Sequence, residues 1–183
     1  ESGSGTMSLG STITASGSVS VGSALSLTAT TSITASGSTL ALSGTVNGAY
    51  GLTLSSSGAT TLGGAVGGTA PLTALSTTAS SYNIGGNITT TGGSGSLSFT
   101  TPITLSGAST WTVDSGSTVS LTSSATVNGN YAFGVNAGGG SVTLGTSIGG
   151  TTPVASVTAI SSSGISLGGN ISTSTGGIAI QGP

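Results

Sequence analysis

The sequence has no lysine, arginine, histidine or cysteine, and its only side-chain acids are Glu1 and Asp114. Binding of nucleic acid depends on cationic side chains that neutralise phosphates, and attraction to an anionic membrane surface needs a basic patch. We therefore expect the chain to bind neither nucleic acid nor an anionic membrane surface. Disulfide bonds are excluded by the absence of cysteine. These absences remove several classes of function before any sequence pattern is considered.

Catalytic and metal-binding chemistry lack the residues that they need. General acid–base catalysis uses a histidine or paired carboxylates, and this chain has no histidine to activate a serine. Calcium-binding β-helical repeats need an acid in every repeat, whereas Asp114 is alone in the body of the chain. We therefore predict no catalytic residue, no cofactor, no metal site and no enzymatic activity.

Long apolar runs and aromatic residues are also scarce. No apolar run approaches the roughly 20 residues of a transmembrane helix, so membrane insertion is not expected. Aromatic residues make up 3% of the chain. We predict that the large ones fill the core or pack at corners and do not form a ligand site. They are Tyr50, Tyr82, Phe99, Trp111, Tyr131 and Phe133.

What the chain does contain is glycine, serine and threonine, with 35, 38 and 34 copies respectively. Regularly spaced leucine, isoleucine and valine, together with a mean hydropathy of +0.43, argue against a disordered linker. Apolar and small polar residues alternate, as in Leu52–Leu54 and Val119–Leu121. This period of two predicts short strands with one buried face.

A short repeat sets the architecture. The segment Ile13–Ser18 returns intact as Ile33–Ser38, and Leu62–Val66 is followed at a similar interval by the related segment Ile84–Ile88. Periods of this size are typical of solenoids, in which each repeat is one coil stacked on the last. We predict an all-β fold in which residues 1–183 form one continuous single-stranded parallel β-helix, a β-solenoid of about 8–9 coils of about 20–23 residues.

A longer repeat relates residues 44–99 to residues 126–180. Val46–Tyr50 matches Val127–Tyr131, and Gly85–Ile88 matches Gly168–Ile171, with nearly the same separation along the chain in both pairs. This separation predicts a larger unit of four coils. Glycine and asparagine are expected to supply the left-handed backbone angles that the corners need.

Two further patterns have alternative interpretations. Asn87 and Asn170 begin glycosylation sequons, but corner asparagines that stack into a ladder are the favoured interpretation. Threonine-rich solenoid faces can bind ice, and Thr28–Thr30, Thr77–Thr78 and Thr89–Thr91 are candidates. An ice face would repeat threonine at one phase in every coil. Because the phase wanders here, the favoured interpretation is that threonine suits exposed strand positions.

The tracts Gly44–Gly48, Leu62–Gly68 and Ile84–Thr90 resemble the repeat regions of large bacterial surface proteins, the filamentous-haemagglutinin-like adhesins and autotransporter passengers. This resemblance implies a right-handed parallel β-helix that is secreted, lies at the cell surface and serves as a stalk, fibre or adhesin. Members of that class carry scattered lysine and aspartate. This chain has no lysine and a single aspartate, which favours a plain structural filament over a specific adhesive site.

The ends of the solenoid carry the functional expectation. Strands begin near Ser8, and Ile178–Ile180 lies close to Pro183, without a charge cluster at either end. Unguarded strand edges favour pairing with other strands. We therefore expect copies of the chain to stack head to tail into a protease-resistant extracellular fibre, such as a biofilm filament. The alternatives are a stalk segment of an adhesin and an ice- or glycan-binding solenoid, with glycans as partners.

Overall fold

The computed structural model describes residues 5–93 and 95–183, and in that part of the chain it is all-β and has no helix. The predicted fold class is confirmed. Alternating apolar and small polar residues form short strands, since each strand has one face to bury. In chain order the strands are β1 (Thr6–Leu9), β2 (Thr12–Ala15), β3 (Val19–Val21), β4 (Ala24–Leu27), β5 (Thr31–Ala35), β6 (Leu40–Leu42), β7 (Val46–Asn47), β8 (Gly51–Ser56), β9 (Ala59–Leu62), β10 (Ala74–Thr78), β11 (Ser81–Ile84), β12 (Ile88–Thr89), β13 (Leu97–Phe99), β14 (Ile103–Leu105), β15 (Ser109–Thr112), β16 (Val119–Leu121), β17 (Val127–Asn128), β18 (Ala132–Asn136), β19 (Val142–Leu144), β20 (Ser156–Ile160), β21 (Ile165–Leu167) and β22 (Ile178–Gln181).

The strands stack in parallel into three faces, which the chain visits in the same order in each coil. Face 1 contains β1, β4, β7, β12, β15, β18, β20 and β22, and Val66 bridges β7 to β12. Face 2 contains β2, β5, β8 and β10, followed by β13, β16, β19 and β21. Face 3 contains β3, β6, β9, β11, β14 and β17 and continues through Ile148 and Ile171. The described residues thus form a β-solenoid of about eight coils.

Inward-pointing residues form one hydrophobic core that extends from Leu9 to Ala159. Residues paired between neighbouring coils continue the same buried column, as Leu42 and Leu62 do on face 3. A single coil has too few apolar side chains to make a core, so burial depends on stacking. The parallel ladders also satisfy the backbone groups between coils, which explains how such short strands are held in place.

The Gly-Gly steps of the short repeat are explained by close approach between coils. A Cβ added to Gly64 would lie 2.7 Å from the carbonyl carbon of Gly44, and one added to Gly86 would lie 2.6 Å from that of Gly64. Neither Gly64 nor Gly86 has a positive φ. All described residues with a positive φ are glycines. The expectation that asparagine takes left-handed angles at the corners is therefore wrong.

Face 2 is interrupted between the fourth and fifth coils. The sheet that begins with β2 ends at β10, and a separate sheet begins at β13. The other two faces continue through the same level, by way of Val66 and Ile88 on face 1 and the β11–β14 pair on face 3. The core is therefore continuous across this level, while the ladder of face 2 is divided into two four-stranded parts.

The long repeat does not contain a whole number of coils. Val46 lies in β7 on face 1, whereas its equivalent Val127 lies in β17 on face 3. Between them the chain makes three full coils and crosses two further faces. Ile88 and Ile171 differ in the same way. The prediction of a four-coil unit is therefore wrong, and the second copy of the long repeat is turned by one face relative to the first.

Candidate functional site

The described residues contain no group of three or more histidine, cysteine, aspartate or glutamate side chains that could hold a metal ion. No helix in residues 5–93 and 95–183 has the length and apolar character that a bilayer crossing requires. The features that bear on function are therefore the packed aromatic residues, the corners, the exposed faces and the two ends of the solenoid.

Four of the six predicted aromatic residues form one buried stack. The ring centroids of Tyr82 and Phe99 are 4.9 Å apart, those of Phe99 and Trp111 are 4.7 Å apart, and those of Trp111 and Phe133 are 5.0 Å apart. All four side chains are buried. The indole N–H of Trp111 donates to the hydroxyl of Ser109 at 2.9 Å, so its polar edge is satisfied inside the core. The stack is a structural element and offers no open site.

The other two aromatic residues lie at corners. Tyr50 is 41% exposed and Tyr131 is 43% exposed, so neither fills the core. The backbone N–H of each donates to the carbonyl of a preceding glycine, Gly48 or Gly129, at 2.8 Å. Because the long repeat is turned by one face, Tyr50 precedes a strand of face 2 while Tyr131 precedes a strand of face 1. The two tyrosines therefore project from different corners and do not form one surface.

A single asparagine side chain fixes each of these corners. The Asn47 Oδ1 atom accepts hydrogen bonds from the backbone N–H groups of Thr69 at 2.8 Å and Ala70 at 3.3 Å in the next coil. Asn128 makes the same pair of bonds one long repeat later, at 2.9 and 3.1 Å. Asn47 and Asn128 were not predicted as corner residues, although the Val-Asn-Gly-x-Tyr pattern that they share was a signal for them.

The two sequon asparagines, Asn87 and Asn170, both have exposed side chains. The Asn87 Oδ1 atom accepts from the backbone N–H of Thr110 in the next coil at 2.9 Å, a bond that involves no second asparagine. The backbone carbonyl of Asn87 accepts from the N–H of Val66, and that of Asn170 accepts from the N–H of Ile148, each at 2.8 Å. Glycosylation at these two positions stays a prediction.

Asp114 anchors a turn of the preceding coil. Its Oδ2 atom accepts hydrogen bonds from the backbone N–H groups of Gly92 at 2.7 Å and Gly93 at 3.4 Å. Both glycines have a positive φ, which aims consecutive N–H groups at one point and forms a small anion-binding nest. The Asp114 Oδ2 atom therefore holds the turn, while its Oδ1 atom is buried without a hydrogen-bond partner among the described residues, which also contain no group of acids around it.

Two shallow depressions lie on the exposed faces. One, of about 220 Å³, lies on face 1 over Gly134, where the missing side chain leaves space between Thr110 and Thr158. The other, of about 380 Å³, lies on face 2 at the interruption between β10 and β13. Their linings contain no titratable side chain. Both depressions are hydroxyl-rich surface features and lack the groups that catalysis would need.

Comparison with known proteins gave no match: no family model, no curated protein and no solved structure is similar to this chain.

The C-terminal end of the described solenoid exposes apolar side chains that belong to core columns. Ile178 in β22 continues the column of buried Val157 and is 48% exposed, and Ile180 is 37% exposed. Leu167 in β21 continues the column of buried Leu144 and is 49% exposed. Their exposure follows from the lack of a further coil above them in the structure. This end is an apolar surface bordered by open strand edges.

Proposed function

We propose that the chain is the subunit of an extracellular structural fibre in which copies stack head to tail. The observation that carries this proposal is the apolar end formed by Leu167, Ile178 and Ile180. An exposed apolar surface next to unpaired strand edges favours association, because both features gain from contact with another coil. The resemblance to secreted bacterial repeat proteins supports a location outside the cell, and the lack of lysine and arginine leaves trypsin-like proteases no cleavage site.

The opposite end of the solenoid has the matching chemistry. Its first coil consists of β1, β2 and β3, whose outer edges are unpaired in the described structure. Met7, Ile13 and Val19 of this coil are only partly buried and pack against the core. Each end therefore presents inward-pointing apolar residues on all three faces. Stacking one end on the other would join the cores and continue the parallel ladders.

The last strand determines how two copies would meet. β22 begins a ninth coil on face 1, so the next open position along the spiral is on face 2, above β21. A second copy whose β1 occupies that position places its β2 over Ile171 and its β3 over β22. The copy is therefore turned by one face, and at about 4.8 Å per coil the subunits repeat about every 40 Å.

The proposal is tested by the mass and shape of the purified chain. Light scattering coupled to size-exclusion chromatography should show a mass that grows with concentration, and electron microscopy should show filaments one solenoid wide with a repeat of about 40 Å. A monodisperse monomer at high concentration, without filaments, would rule out the fibre.

A charged end is expected to block assembly. The double variant Ile178→Lys and Ile180→Lys places two like charges where the proposed interface would bury them, and burial of an unpaired charge is strongly unfavourable. We expect monomers with an unchanged circular dichroism spectrum. Thr104→Lys, at an exposed position of β14 on face 3, is the matched control and should still assemble. Equal assembly by the end variant and the control would contradict the proposed interface.

A further inference from the structure

Twelve outward-pointing positions of face 2 form three columns of serine and threonine, while Gly51 and Ala74 occupy a further pair of outward positions at the start of β8 and β10. One column is Thr12, Ser32, Thr53 and Ser76, and each member pairs with the next across the ladder of β2, β5, β8 and β10. A second column, two residues further along the same strands, is Thr14, Thr34, Ser55 and Thr78. Beyond the interruption, Ser98, Ser120, Thr143 and Ser166 form a third column.

The other two faces have no such array. Outward positions on face 3 run through Ala41, Asn83 and Asn128, and those on face 1 include Gly134 and Ala179. A chain rich in serine and threonine would scatter hydroxyl groups over every face. Face 2 instead carries unbroken runs of four hydroxyl residues in each of the three columns, with Gly51 and Ala74 outside them.

Eight of the twelve column residues are exposed, and Ser32, Thr34, Ser55 and Ser120 are half-buried. No hydrogen bond to another described residue is made by any of the twelve side chains. Threonine and serine hydroxyls both donate and accept, so each can hold water in a fixed position. Face 2 also has no charged side chain among its strand residues, and charged groups would otherwise order water around themselves instead of along the array.

The spacing of the columns is regular in two directions. Parallel strands lie about 4.8 Å apart, and residues two apart along a strand are about 6.7 Å apart. Because the register is unbroken over β2, β5, β8 and β10, the eight hydroxyls of the first two columns make a two-dimensional lattice. The oxygen rows at the surface of hexagonal ice repeat over similar distances, so water held on this lattice can continue into the crystal.

We propose that face 2 binds ice through these hydroxyl columns. The ligand is the ice surface itself, which is neutral and periodic, as the columns over β2, β5, β8 and β10 are. Crystalline polysaccharide is the competing flat ligand, but its recognition uses exposed aromatic rings that cover the apolar faces of sugars. The aromatic residue of face 2, Phe99 in β13, is buried, and the exposed tyrosines project from corners. The hydroxyl lattice therefore fits ice better than a polysaccharide.

Of the threonines considered as ice-face candidates from the sequence, Thr78 belongs to the hydroxyl columns. Among the other candidates, Thr90 is buried and Thr77 pairs with the core residue Leu54. The threonines are unevenly spaced along the sequence because coil lengths vary. The register between the strands of face 2 is nevertheless constant, and the uneven spacing conceals it. The proposal does not depend on the fibre, since a single solenoid already displays the array.

The test is thermal hysteresis and inhibition of ice recrystallisation by the purified chain. We expect a gap between melting and freezing temperatures, and its loss in the double variant Thr34→Tyr and Thr53→Tyr, whose bulky rings would hold ice away from the lattice. Tyrosine suits exposed strand positions, so the fold should be kept. The matched control is Thr61→Tyr with Thr104→Tyr on face 3, which should retain the full hysteresis.

Three outcomes would overturn the proposal. The first is the absence of hysteresis and of recrystallisation inhibition in the unmodified chain. The second is an equal loss in the face 2 and face 3 variants, since that would place the activity elsewhere or attribute it to unfolding. The third is binding to crystalline cellulose or chitin without any effect on ice, which would assign the hydroxyl columns to a polysaccharide.

Discussion

Replacing Trp111 by alanine is expected to lower the free energy of unfolding by about 3–5 kcal/mol, the range found when a buried large aromatic side chain is removed. Trp111 is fully buried and contacts the rings of both Phe99 and Phe133. The substitution leaves a cavity at the middle of the aromatic stack. It also leaves the Ser109 hydroxyl without the donor that it holds at 2.9 Å. Both effects originate in β15, the strand that carries Ser109 and Trp111.

The measurement is urea denaturation followed by circular dichroism, since Trp111 is the only tryptophan and its fluorescence is lost with it. At about 2–4 °C per kcal/mol for a chain of this size, the melting temperature should fall by roughly 10 °C. Tyr131→Ala is the control, because that side chain is 43% exposed and its loss should change stability by no more than about 0.5 kcal/mol. Similar losses in the two variants would show that the stack does not hold the coils together.

The sequence predicted the fold because two independent periods agreed. Alternation within Leu52–Leu54 and Val119–Leu121 indicated strands, and the return of Ile13–Ser18 as Ile33–Ser38 indicated coils. Both signals are local and survive small insertions. The β-solenoid class was therefore predictable without knowledge of which residues pair across coils.

Features that depend on the register between coils could not be predicted. On face 1 the coil that separates Val46 from its partner Val66 is shorter than the coil that separates Trp111 from its partner Val135. Such variation accumulates along the chain. It turns the second long repeat by one face, and it hides the constant phase of the hydroxyl columns on face 2. The aromatic contacts made by Phe99 were equally hidden, because its two ring partners belong to the other two faces.

The reason for the Gly-Gly pairs is another feature that could not be predicted from the sequence. From sequence, Gly-Gly was expected at corners because glycine permits left-handed angles. The structure shows instead that Gly64 and Gly86 have no positive φ and lie where the backbones of neighbouring coils leave no room for a Cβ. Close approach depends on the positions of two coils, so it cannot be read from the sequence of one coil alone.

The variant Gly86→Ala tests this explanation of the repeated motif. An added Cβ would lie 2.6 Å from the backbone nitrogen of Ala65 and 2.6 Å from the carbonyl carbon of Gly64. Backbone atoms held in the ladder cannot yield as a flexible side chain can, so the coils must move apart. We expect a loss of about 1–3 kcal/mol in the free energy of unfolding, the usual cost of overpacking.

The matched control is Gly17→Ala, where an added Cβ meets no atom within 4 Å and φ is not in the left-handed region. There alanine should be neutral, or stabilising by about 0.4–1 kcal/mol, because it restricts the unfolded chain. Denaturant unfolding of both variants measures the difference.

The Gly86 variant should also open first between the fourth and fifth coils, where the ladder of face 2 is already interrupted. The reason is that the stability of a solenoid is the sum of contributions from its coils and from the interfaces between neighbouring coils. Hydrogen exchange that is fastest at this level would support the close-approach explanation, and equal stability of the two variants would refute it.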